Sequence, residues 1–131
     1  MLRKISLYVM ATFYFFAGVN HFIKPLVYKK MLPPFLPFHS VLNYASGFLE
    51  LGFAILLVFP KTRNFASTGI IVLLIAFIPV HIYMLQTGWC PDKCLPEWVL
   101  WIRLIVLQPL LIYWAISVRK NLKNNKRLES V

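Results

Sequence analysis

The sequence predicts an all-α fold, an integral membrane bundle of four helices, on three observations. Hydrophobic residue types make up 60% of the chain and charged types 14%. A soluble domain carries about 25% charged residues, so most of this surface faces something other than water. The apolar residues fall in four runs, each close to the ~20 residues that cross a bilayer as a helix. The short connections between the runs hold much of the Pro and Lys. Four spans leave no room for a soluble domain, and the chain reads as a single domain, 1–131.

The first run covers about 5–23. Its basic start, Arg3 and Lys4, is that of a signal peptide, but Asn20, His21, Phe22 and Ile23 stand where a small-residue cleavage site belongs. It is therefore expected to be retained as a helix. The connection 24–40 is too apolar for a free loop (Leu26, Tyr28, Phe35, Phe38) and too rich in Pro (Pro25, Pro33, Pro34, Pro37) for one helix. A short amphipathic turn and then an extended Pro-rich stretch are expected in the membrane interface, as a lid over the bundle or as a surface anchor. The second run covers about 41–59, the third about 65–85 and the fourth about 98–118. Pro79 and Pro109 each remove a donor, free the carbonyls of Ile75 and Ile105, and predict kinks. Gly18, Gly47, Gly52 and Gly69 mark places where helices approach closely. The basic tail, 119–131, is expected to fray into solution.

Orientation follows from the cations in the connections. Arg3, Lys4, Lys61, Arg63, Arg119, Lys120, Lys123, Lys126 and Arg127 lie on one side, and Lys24, Lys29, Lys30 and Lys93 on the other. That bias places both termini in the cytoplasm. The net charge of +10 is mostly this topology signal, reinforced by attraction to anionic lipid. It is no nucleic-acid footprint, because the basic tail is short and sits beside the bilayer. Trp89, Trp98 and Trp101 lie near helix ends, where aromatic residues anchor the interface.

Ionisable groups within spans are costly and each raises a functional hypothesis. Here they are His21, Glu50, His81 and Arg103, with Asn20, Asn43 and Gln108 as polar neighbours. At ~1.5 Å per residue all four ionisable groups fall in the outer half of the bundle. Asn43, Gly47, Glu50 and Ala54 form one stripe, and Tyr14, Gly18 and His21 another; both are expected to face inward. Trp101 and Gln108 share a face of the fourth span, whereas Arg103 stands about 140° from Gln108, so those two are not expected to reach one place. Two readings stay open: a buried ion pair, Glu50 with Arg103, that fixes helix register, or the polar end of an apolar pocket for a lipophilic molecule such as a quinone. No metal site is predicted, since His21, His81 and Glu50 are a nonspecific ligand set, and His39 approaches them only if the lid folds inward.

Cys90 and Cys94 flank Pro91, Asp92 and Lys93 in the third connection, on the extracytoplasmic side, where disulfides persist. A structural disulfide clip is the expectation over a redox pair, because three intervening residues are not the two of a thioredoxin-like motif.

Four segments carry a resemblance to a known family: Ala17-Gly18-Val19-Asn20-His21-Phe22, Ser46-Gly47-Phe48-Leu49-Glu50-Leu51-Gly52, Pro79-Val80-His81-Ile82-Tyr83-Met84 and Arg103-Leu104-Ile105-Val106-Leu107-Gln108. Together they resemble the DoxX-like family of small four-helix bacterial membrane proteins, over nearly the whole span region. The resemblance implies an inner-membrane location and polar positions at His21, Glu50 and Arg103. It also brings relatives that are membrane subunits of oxidoreductases, among them a thiosulfate:quinone oxidoreductase and the methylamine-utilisation protein MauE. The functional expectation is a quinone- or lipid-associated protein, a subunit of a membrane oxidoreductase with a partner subunit. The alternative is a non-catalytic membrane protein that binds or organises a partner. A small transporter is disfavoured, because four short helices leave little room for alternating access without a homo-oligomer.

Overall fold

A computed structural model of the chain describes residues 2–88, 90 and 94–129, and all regular structure among them is helical. Helix α1 covers Leu2–Ile23, α2 Pro25–Met31, α3 His39–Val58, α4 Arg63–Thr87 and α5 Glu97–Ile102. A π turn over Arg103–Leu107 then leads into α6, Gln108–Glu129. Four helical stretches are long and apolar enough to cross a membrane: Lys4–Ile23, His39–Val58, Arg63–Thr87 and Glu97–Lys120. Trp89 and Lys93 lie outside the described residues. The tail departs from expectation, since its backbone stays helical through Glu129. No Gly or Pro follows Pro109 to stop the helix, and Lys, Arg and Leu are good helix formers.

The four long helices form a ring in the order α1, α3, α4 and α5–α6, joined up and down by short connections. Two apolar cores lie at its two ends. At the end that holds the α3–α4 connection, Leu7, Met10, Tyr14, Leu57, Ile70, Leu74 and Val118 pack together. Trp114 Nε1 donates to Ser6 Oγ at 2.8 Å and ties α6 to α1 there. At the α2 end, Met31, Met84 and Leu100 form a smaller cluster with Tyr28 and Val80 against it. The buried stripe of α3 is Asn43, Gly47, Glu50, Ala54 and Leu57, as helical spacing predicts. The outer surface is strongly apolar: Phe16, Phe48 and Phe65 are each about two-thirds exposed.

Helix α2 covers one end of the ring. Tyr28 and Met31 turn inward, whereas Leu26, Phe35 and Phe38 stay exposed. The connection thus covers one end of the ring and leaves an apolar rim exposed. It is pinned by Asn20 Nδ2, which donates to Tyr28 Oη at 2.8 Å, and by the bond from His39 Nε2 to the Pro33 carbonyl at 2.9 Å. His39 is therefore held within the connection. A disulfide joins Cys90 and Cys94 at the same end.

Pro79 leaves α4 helical throughout. A carbonyl beside the one that Pro79 frees finds a cross-helix partner: Gln108 Nε2 donates to the Leu74 oxygen. Just before Pro109 the helix takes the π turn over Arg103–Leu107.

Candidate functional site

Between the two cores lies a cavity of about 400 Å³, within the ~300–1,000 Å³ of small-ligand sites. Phe13, Ala17, Leu74, Phe77, Val99, Leu107 and Leu111 make its walls apolar. His21, Asn43, Glu50, His81, Arg103 and Gln108 also line it, so six of the seven polar residues singled out from the sequence meet in one place. Asn20 does not line it and acts at one remove, through its hydrogen bond to Tyr28.

The polar end is built around His21. Asn43 Nδ2 donates to the His21 carbonyl at 3.1 Å, which caps the exposed C-terminal end of α1. The Asn43 oxygen then faces His21 Nδ1 at 2.9 Å. The opposite amide orientation sets two oxygens against each other, so the network assigns the proton to His21 Nδ1. The ring of Tyr28 stacks on the imidazole, centroids 3.7 Å apart. His21 Nε2 lies 3.7 Å from Glu50 Oε2, and that carboxylate oxygen accepts no hydrogen bond although Glu50 is only 5% exposed.

Across the cavity, His81 Nδ1 donates to the Phe77 carbonyl at 2.7 Å, one turn back along α4. The charge of Arg103 acts on both His81 and Tyr28. Burial pushes the Tyr28 phenol up from its ordinary value, the hydrogen bond from Asn20 opposing it. Two residues that sequence reasoning left out belong here. Tyr28 is the first, hidden in a connection whose course periodicity does not reveal. Tyr14 is the second: it lines the cavity and its hydroxyl is buried without a partner. Its place on the stripe with Gly18 and His21 was the available signal.

The expectation that Arg103 and Gln108 diverge is corrected. Both line the cavity, because the Gln108 N–H bonds back five residues to the Arg103 carbonyl. An i→i+5 turn takes in one more residue than an α-turn and brings positions five apart onto one side. The same insertion breaks the shared face of Trp101 and Gln108: Gln108 is buried, whereas Trp101 is 45% exposed and donates to Glu97. Glu50 faces His21 Nε2 at 3.7 Å. Among the described residues no cluster of three or more His, Cys, Asp or Glu is placed to hold a metal.

The ring is not closed evenly. Helix α1 meets α6 near Ser6 and Trp114, but none of its described Cα atoms comes within 8 Å of α5 or the π turn. Phe13, Ile102 and Leu107 both line the cavity and are 44–48% exposed. The cavity therefore opens sideways, through an apolar seam between α1 and the fourth span.

A family model described as a domain of unknown function, DUF8561, matches residues 10–119. That is most of the chain, which therefore belongs to this family. No curated protein and no solved structure matches it.

Proposed function

We propose that this DUF8561 protein is an integral membrane protein that holds a lipophilic molecule with a polar head inside its helical bundle, a quinone being the leading candidate. The cavity carries the reading: it is apolar along its walls, polar at one end and open sideways. A molecule dissolved in the bilayer can enter through such a seam without crossing water. The resemblance to DoxX-like proteins supports the quinone and a role as the membrane subunit of an oxidoreductase in a bacterial inner membrane. A cavity with apolar walls and a polar end has no evident use in the rival reading, a non-catalytic protein that only organises a partner.

The test is chemical. Protein purified in mild detergent is expected to carry a lipophilic molecule at near-stoichiometric amount, read by mass spectrometry of an organic extract. Ala17 lines the cavity, so Ala17→Phe fills it and should lower the bound amount about tenfold, the loss of about 1.4 kcal/mol. Equal lipid extracts from both proteins, with no enriched species, return the assignment to the partner-organising rival.

Topology has its own experiment. With both termini cytoplasmic, Cys90 and Cys94 face the outside as a disulfide. A membrane-impermeant maleimide should leave intact cells unlabelled and should label both cysteines after mild reduction. Labelling without reduction contradicts the disulfide. Labelling only after the cells are opened contradicts the orientation.

A further inference from the structure

Two polar atoms that line the cavity, Glu50 Oε2 and the Tyr14 hydroxyl, are buried without a hydrogen-bond partner. His21 Nδ1 holds its proton against Asn43, which turns Nε2 toward Glu50. Glu50 Oε2 lies 3.7 Å from that nitrogen and accepts no hydrogen bond. His81 Nδ1, across the cavity, is committed to the Phe77 carbonyl. The Tyr14 hydroxyl is buried without a partner on the same wall. Buried polar groups are nearly always satisfied, and each exception asks for an explanation.

We infer that the cavity selects its lipophilic ligand by a hydroxyl group, which donates into the Glu50–His21 pair and accepts from Tyr14. This rests on the ligand-binding reading above and narrows it: of a quinone couple, the quinol is the form held. A carbonyl head has no hydrogen to give and leaves Glu50 Oε2 without a donor. An ionised head meets both signs of charge, because Glu50 and Arg103 line the same cavity. The Tyr28 stack and the two Asn43 bonds hold the His21 ring in place before anything binds, so recognition costs little reordering.

The experiment compares three compounds of one shape, para-octylphenol, para-octylanisole and para-octylbenzylammonium, on the full chain in lipid nanodiscs, with dissociation constants from calorimetry. The phenol should bind tenfold to a hundredfold more tightly than the anisole, the expected worth of one hydrogen bond to buried acceptors. Glu50→Gln should shrink that ratio, and Ala17→Phe should weaken every compound that binds. Equal binding of phenol and anisole, both blocked by Ala17→Phe, overturns the hydroxyl inference and leaves the cavity reading standing. Tighter binding of the ammonium overturns it too. Binding indifferent to Ala17→Phe, or no binding at all, removes the ligand reading itself. The wild-type comparison decides the matter even if Glu50→Gln does not fold.

Discussion

Gly18→Leu is expected to lose most of its folded population in mild detergent. Helices α1 and α3 make the most extensive contact in the molecule, and they cross with Gly18 against Gly47. A Cβ atom at Gly18 falls 2.9 Å from the Gly47 oxygen, 2.9 Å from the Leu51 nitrogen and 2.8 Å from Leu51 Cγ. Two of those three atoms are backbone, so no rotamer change relieves the clash and the helices must part. Overpacking typically costs about 1–3 kcal/mol and sometimes more. Gly18→Ala should fall in that range despite alanine's better helix propensity, and leucine should exceed it, against a total stability on the order of 5–15 kcal/mol. Gly52 supplies the control. It lies on the same α3, but its Cβ meets nothing within 4 Å, so Gly52→Ala should stabilise by about 0.5–1 kcal/mol through propensity alone. Thermal melts of the three variants in one detergent check the signs. If Gly18→Ala melts at or above the wild type, as Gly52→Ala should, the close crossing is refuted. The crossing also sets the site, because Gly47 meets His21 Cβ and Phe22 across it; parting the helices pulls His21 away from Asn43 and Glu50.

The stripes that meet at this crossing are legible in the sequence, because α1 and α3 are regular and 3.6-residue periodicity reports the inward face of a regular helix. Glu50 and His21 stand out for the same reason, being rare types within apolar runs. Three features escape such reading. The fourth span contains a π turn, and constant angular spacing fails beyond it, which is why Arg103 and Gln108 look divergent in sequence and converge in space. Pro109 marks that something changes there, but a proline alone does not say whether a helix kinks or inserts a residue. Tyr28 sits in a connection with four prolines, whose path depends on tertiary bonds to Asn20 and His21. The sideways seam is a property of two helices that fail to meet. Nothing local records it, though the exposed phenylalanine of α1 and the leucine of the π turn that border it, Phe13 and Leu107, are ordinary lipid-facing types.

Asn43→Leu is expected to cost about 2–5 kcal/mol. The side chain is 2% exposed and serves both ends of His21, donating to its carbonyl at 3.1 Å and accepting from its Nδ1 at 2.9 Å. Leucine has a similar volume and neither function. It leaves one of the last carbonyls of α1 and an imidazole N–H buried without partners, each at roughly 1–3 kcal/mol. Replacing both members of the side-chain pair is a different matter. In the double variant His21→Phe with Asn43→Leu the phenyl ring keeps the stack on Tyr28 and brings no N–H to satisfy; only the carbonyl stays bare. The double variant should therefore melt above Asn43→Leu alone, and its loss should be smaller than the sum of the two single losses. Recognition separates from stability at this point. The double variant lacks the Nε2 beside Glu50, so its preference for para-octylphenol over para-octylanisole should shrink even though part of the stability has returned. Melts of the wild type, both single variants and the double, with dissociation constants for the two compounds, measure both effects on the same proteins. Strictly additive losses would show that Asn43 and His21 act independently, and a retained preference for the phenol would show that His21 is not part of what reads the hydroxyl.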